Sequence, residues 1–316
     1  MAGRQMFARR WRRPVRVVAL AGLVALAGSG LTGCLRAAAT GVGAGGRLGV
    51  VATTPVVADF VRQVGGSRVS VTEILRPNVD PHDYEPAPAD LLALARASVV
   101  VRNGAGLESW LGPTITNSGF AGLLVDASHG VPLRRLDGQT DPHIWHDPDN
   151  AEIMCRNIAA GLSTRDPAGR TSYRANLDRY LSRLDALDSD LRARIDQIPP
   201  AARTLVTNHD AFGYYGRHFG LTVDSVLPSF DTSAELSGRD IERVVARIRR
   251  TGARAVFSES ALPARVARTI GREAGVRVVA GAGSLYADTL GPPGSPAATY
   301  LDMEEHNTEV IVGALS

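Results

Sequence analysis

Between Pro167 and Ile198 the chain runs for about 30 residues without an internal proline, and its one glycine, Gly169, lies near the start. Tyr173, Leu177, Tyr180, Leu184, Leu187, Leu191 and Ile195 recur every three or four positions with arginine and aspartate elsewhere. That spacing predicts a single long amphipathic helix. Pro167 suits its start, and Pro199-Pro200 ends it. At 1.5 Å per residue such a helix reaches about 45 Å, more than one lobe needs. Its stripe is too irregular for the strict heptads of a free coiled coil. The segment is therefore expected to be a stiff connector packed along two bodies.

On either side of it, strand-like runs alternate with helical spacing. The first half offers strands at Leu48–Ala52, Val69–Leu75, Ser98–Arg102 and Leu123–Asp126, with helices over Pro55–Val64 and Pro88–Ala97. The second offers strands at Arg203–Thr207, Leu221–Val226, Ala253–Ser258 and Val276–Val279, with helices over Asp210–Phe219, Asp240–Arg250 and Ala264–Glu273. Alternation of this kind argues for parallel sheets. The expected fold class is α/β: two lobes with parallel sheets joined by a single long rigid helix. A length of 316 residues agrees with two lobes. The expected organisation is a leader at 1–33, a tether at 34–46, a first lobe at 47–166, the connector at 167–198 and a second lobe at 199–316.

The formal net charge of +3 misleads. Residues 1–33 hold six arginines and no acids, which leaves 29 basic against 32 acidic residues and a net of −3 for the rest. A nucleic-acid role loses its main support. Two cysteines exclude a disulfide scaffold or a cysteine-built zinc module. The leader has a positive region up to Arg16, then an uncharged, mostly apolar run from Val17 to Gly33, interrupted by Gly22, Gly28 and Gly30. It is short for a membrane span and long enough for a signal-peptide core. Leu31-Thr32-Gly33-Cys34 resembles a bacterial lipobox, in which the chain is cut before the cysteine and its thiol carries acyl chains. Cys34 is thus the expected lipidation site. The Ala- and Gly-rich stretch from Arg36 to Gly46 reads as a flexible leash.

Three of the polar clusters are crowded with histidine and carboxylate. Asp80–Pro86 (DPHDYEP) follows the Val69–Leu75 strand, Asp141–Pro148 (DPHIWHDP) precedes a helix, and Asn208-His209-Asp210 follows the Arg203–Thr207 strand. Asp288 lies in the loop after Val276–Val279. In an open parallel sheet, residues beyond the carboxyl ends of strands face the ligand crevice. A single histidine beside a proline is an ordinary turn residue; the argument rests on several at equivalent strand ends. Imidazoles and a carboxylate converging there make a site for a divalent transition metal.

These motifs, with Asn208–Tyr215 (NHDAFGYY), Ser284–Leu290 (SLYADTL), the Phe257-Ser258-Glu259 strand end and the Tyr300–Leu315 helix, give the chain a specific likeness. Over roughly residues 47–316 it resembles the metal-binding lipoproteins of zinc and manganese ABC importers, solute-binding protein family 9. The resemblance implies a metal buried between two lobes, held by His82, His143, His209 and Asp288. It implies an extracytoplasmic lipoprotein, anchored to the cell membrane, that delivers its metal to a cognate ABC permease. Zn2+ is the favoured cargo, because His209 stands where manganese binders often carry glutamate, and three imidazoles with one carboxylate suit zinc. Mn2+, or iron, is the alternative. The chain is expected to be a monomer and not an enzyme.

Two departures from the family stand out. The Asp126–Thr140 segment holds only His129, where many zinc-specific members carry a histidine-rich loop. His146 occupies a position that is usually apolar; a surface location is expected for it, with an auxiliary or supporting place at the metal site, or competition with His143, as the alternative. Glu259 is a candidate to support the site from behind. His129, His218 and His306 read as surface or packing residues, and Cys155 as a small buried thiol. The competing classes are a zinc hydrolase, which needs an open metal position and a general base, and an adhesin-type lipoprotein.

Overall fold

The computed structural model describes residues 46–136, 138–227, 230, 232 and 237–316. The leader, Cys34 and all of the tether but Gly46 lie outside the described residues. Among those described, no helix is long and apolar enough to cross a membrane.

The chain opens with β1 (Leu48–Ala52), α1 (Pro55–Gly65), β2 (Val69–Glu73), α2 (Pro88–Arg96), β3 (Val99–Arg102), α3 (Leu111–Ser118) and β4 (Leu123–Asp126). The four strands form a parallel sheet in the order β2-β1-β3-β4. A short antiparallel hairpin, β5 (Arg135–Leu136) and β6 (Gln139–Thr140), leads into α4 (Pro148–Arg165) and α5 (Arg170–Ile195). Then follow β7 (Thr204–His209), α6 (Gly213–Phe219), β8 (Thr222–Leu227), α7 (Gly238–Thr251), β9 (Ala255–Phe257), α8 (Arg265–Ala274), β10 (Arg277–Val279) and α9 (Tyr300–Leu315). The second parallel sheet has the order β10-β9-β7-β8.

Both sheets place the first strand of their half in the interior. The chain leaves β1 for β2 on one side and returns to β3 on the other; β7 sits likewise between β8 and β9. Crevices open at the carboxyl ends of such strands, where neighbouring connections diverge. Burial on both faces explains why β1 and β3 read as continuous apolar runs rather than alternating ones. At the end of β1 the chain turns sharply: the Thr54 hydroxyl accepts from the Val57 amide, and Pro55 starts α1.

The connector is α5, 26 residues and about 39 Å long. Asp166 caps a short turn over Pro167–Gly169, so the α-helix proper starts at Arg170. Tyr173, Tyr180, Leu184, Leu187, Leu191 and Ile195 are buried as the stripe predicts, and Leu177 packs partly buried beside them. The helix lies against α1, α4 and α9. One apolar cluster therefore runs from Val50 and Phe60 of the first half, through Leu184 and Leu191, to Leu205 and Tyr215 of the second. A separate cluster, including Val226, Ile248 and Ile270, covers the other face of the second sheet.

Three elements escape sequence reading. α3 contains Gly112, Pro113, Thr114 and Thr116, all poor helix formers, and the burial of Leu111 overrides them. The start of α4 falls inside the DPHIWHDP motif itself, because Asp147 caps it and Pro148 begins it. The β5–β6 hairpin pairs two residues on each side, too few to show a period.

His218 does more than fill space on α6. Its Nδ1 lies 3.0 Å from Asp147 Oδ1 at the head of α4, and its Nε2 lies 2.5 Å from Asp188 Oδ1 on α5. Burial opposes a charged ring, yet Asp147 and Asp188 outweigh it and raise the His218 pKa above the ordinary 6.5. A raised histidine pKa gives stability that is full below the unfolded value and is lost as pH rises through the folded value. His218→Ala should therefore destabilise the protein by about 1–2 kcal/mol at pH 6 and by clearly less at pH 9. Chemical denaturation at the two pH values tests this; equal losses would contradict it.

Candidate metal centre

His82 comes from the loop between β2 and α2. Its amide donates to Asp80 Oδ1 at 2.9 Å, which folds the DPH turn back on itself. Tyr84 fixes the far side of that loop, donating to Asp90 at 2.7 Å on the first turn of α2. His143 follows β6 in a second DPH turn, where its amide donates to Asp141 Oδ1 at 3.0 Å. His209 is the last residue of β7, at the crevice the strand order creates. Asp288 lies in the loop after β10.

These four side chains meet. His143 Nε2 is 3.2 Å from both His82 Nε2 and His209 Nε2. Asp288 Oδ1 lies 3.7, 3.2 and 3.4 Å from the Nε2 atoms of His82, His143 and His209. Ligand bonds of about 2.0–2.1 Å in a tetrahedron give ligand–ligand edges of about 3.3–3.4 Å, so the spacings match four donors around one ion. His143, His209 and Asp288 are buried, and the His82 side chain is only 8% exposed. Both carboxylate oxygens of Asp288 are buried without a hydrogen-bond partner. A buried carboxylate in that condition is costly unless a cation faces it.

Carboxylates behind the rings set their orientation. His143 Nδ1 is 2.8 Å from Asp141 Oδ1, and His209 Nδ1 is 2.5 Å from Glu259 Oε2. Glu259 also accepts from the His209 amide at 3.0 Å. An Nδ1–H held by a carboxylate leaves the Nε2 lone pair pointing into the site. Glu259, singled out in the sequence as a candidate to support the site, lies directly behind His209. Asp141 belongs to the DPH motif but was not singled out. Arg134 carries no motif at all, yet it donates to Asp141 at 2.7 Å and reaches Asp210 at 3.1 Å, tying together the segments that carry His143 and His209. A Cβ at position 213 would lie 2.1 Å from the Arg134 guanidinium, which is why the NHDAFGYY motif has glycine there.

The charges are coupled. Burial alone would lower the pKa of His143 and His209, but carboxylates reverse it. Asp141 and Asp288 raise His143 above the ordinary imidazole value; Asp288 and Glu259 hold His209 well above it. Burial likewise works against ionised Asp288, yet His209, His143 and His82 keep its carboxyl well below the usual range.

The surface location expected for His146 is wrong. It is fully buried, stacked on Phe212, with Nδ1 2.8 Å from Glu304 Oε1 and Nε2 2.8 Å from the Ala287 carbonyl. Both nitrogens are engaged, so it does not join the four converging donors. The position faces the interior, where a buried acid on α9, Glu304, partners the polar ring. His129 is exposed, as expected, and Cys155 is buried on α4. A second group of metal-compatible side chains, Asp147, Asp149 and His218, is the bridge described above and is crossed by Arg192 and Arg217.

Known proteins match this architecture. The family described as zinc-uptake complex component A, periplasmic, matches residues 50–314. The manganese-binding lipoprotein MntA of Halalkalibacterium halodurans is 33% identical over 274 residues, covering 85% of this chain and 89% of its own. MntA of Bacillus subtilis is 33% identical over 293 residues, covering 90% and 95%. Among solved structures, the periplasmic zinc binding protein TroA from Treponema pallidum superposes with a TM-score of 0.81 at 29% identity, covering 86% of this chain and all of that one. The chain therefore belongs to the family of the periplasmic zinc-uptake component A, the metal-binding, substrate-binding components of ABC transporters.

Proposed function

We propose that the chain captures one divalent transition metal on His82, His143, His209 and Asp288 and delivers it to an ABC permease while a lipid on Cys34 holds it at the outer face of the membrane. The observation that carries this reading is the convergence of three Nε2 atoms on a buried carboxylate that has no hydrogen-bond partner of its own. Four protein donors close a tetrahedron and leave no corner for an activated water, so the geometry favours capture over hydrolysis. The metal is cargo, not a cofactor.

Zinc is the favoured cargo. Three imidazoles and one carboxylate suit zinc, and zinc outranks manganese at a given nitrogen and oxygen site. Manganese is the second reading. It draws on the names of the relatives, manganese-binding lipoproteins, and on the two unpartnered oxygens of Asp288, which are free to chelate as a pair. Elemental analysis of protein purified without added metal separates the two: retained zinc is the expected result, and retained manganese would favour the second reading.

Calorimetric titration should show one zinc per chain. Replacing His82, His143, His209 or Asp288 by alanine should cost more than the 10–100-fold typical of losing an outer partner, with the metal-free fold retained. Asp288→Ala binding like wild type would sink the assignment. Cys34→Ser should abolish membrane retention of the processed chain, measured by fractionation; normal cleavage with full membrane retention would contradict lipidation.

Protons compete with the metal. With the raised pKa of His143 and His209, the metal-free protein holds protons that zinc must expel. Their contribution to stability is full below about 6.5 and is lost as pH rises through the folded values, whereas that of Asp288 is present above about 3.8 and is lost as pH falls through its lowered value. The rise in melting temperature on adding zinc should thus be small at pH 5.5 and large at pH 8. Calorimetry at pH 7 in buffers of different ionisation enthalpy should detect proton release. A pH-independent thermal shift would contradict the reading.

A further inference from the structure

We propose that His146 and Glu304 form a buried clasp that positions Asp288 for the metal, a role that rests on the four-donor site above. The need for it is visible in the asymmetry of the donors. His143 and His209 are each oriented by a carboxylate on Nδ1, from Asp141 and Glu259. Asp288 has nothing equivalent, since neither oxygen accepts a hydrogen bond. No carboxylate or amide behind it fixes its direction, so its placement depends on how its loop is held.

That loop is held at the preceding residue. The Ala287 carbonyl accepts from His146 Nε2 at 2.8 Å and from Trp145 Nε1 at 3.1 Å. Both donors belong to the short turn that follows His143 directly, so one peptide pins the Asp288 loop to the segment carrying another ligand. α9 completes the arrangement. Its Asn307 bonds both the amide and the carbonyl of Tyr286, at 2.8 and 2.9 Å, and the Tyr300 hydroxyl donates to the Trp145 carbonyl at 2.7 Å.

The chemistry of the ring follows from its partners. A carbonyl only accepts, so His146 Nε2 carries a hydrogen. Nδ1 faces the buried Glu304 carboxyl at 2.8 Å, and one proton lies between them whichever atom formally owns it. Glu304 thereby fixes the ring so that its Nε2–H aims at Ala287. An apolar side chain at position 146 offers no such donor.

Zinc titration and chelator-driven zinc release on wild type, Glu304→Gln, and the double variant His146→Leu/Glu304→Leu test the clasp. Glutamine at 304 can donate to Nδ1 and leaves the Nε2–H in place, so its affinity should stay within about threefold of wild type. The double variant removes the pair without orphaning a charge, so its metal-free melting temperature should be retained. Its zinc affinity should nonetheless fall, and its release quicken, by about tenfold. A double variant that binds and releases zinc like wild type overturns the proposal, as does Glu304→Gln losing as much as the double variant. Should the double variant fail to fold, Trp145→Phe drops the other donor to the same carbonyl and leaves the pair intact. It is expected to weaken binding and speed release, and no change in it overturns the proposal. Wild type that takes up no zinc sinks the site itself; wild type that binds while the variants match it sinks only the clasp.

Discussion

A carboxylate buried without a hydrogen-bond partner is the constraint around which this molecule is arranged. Asp288 is 2% exposed, and neither of its oxygens is bonded. Desolvation on that scale would ordinarily force a carboxyl group to take up a proton. Three imidazoles within 3.7 Å prevent it, and they keep the Asp288 carboxyl well below the usual range. A divalent cation suits that arrangement: it matches the three imidazoles and gives the orphaned carboxylate oxygens a partner.

The fold exists to bring those four groups together from distant stretches of chain. Each parallel sheet delivers ligands from the carboxyl-terminal side of its strands, and the two sheets share one apolar core along α5. The long helix gives the halves a common rigid backing. Polar ties then close the front: Arg134 bonds the acids beside His143 and His209, and the Trp145–His146 turn holds the Asp288 loop. Each tie links one half of the chain to the other, so the geometry at the ion depends on contacts that are not themselves ligands. Outer partners of this kind govern metal affinity nearly as strongly as the ligands do.

Much of this is legible in the sequence. The central strands β1 and β3 show as apolar runs because both faces of their sheet are covered, and α5 shows because its stripe is long and uninterrupted. The ligands show because each sits in a short motif, His82, His209 and Asp288 after strands and His143 before a helix. What stayed hidden depends on partners far away in the chain. His146 looks like one more polar residue in a polar motif until Glu304, 158 positions later, is seen against it. Arg134 sits in an unremarkable arginine pair, and its value lies in reaching Asp210, 76 positions on. α3 was invisible for the opposite reason: its local residues argue against a helix, and packing overrules them.

The most direct test of the account is anomalous diffraction at the zinc edge from crystals of the zinc-loaded protein. A single peak should lie about 2.0–2.1 Å from the Nε2 atoms of His82, His143 and His209 and from an oxygen of Asp288, with His146 still bonded to Glu304 and Ala287. A principal peak at the Asp147, Asp149 and His218 group, or one coordinated by His146 in place of a named donor, would contradict it.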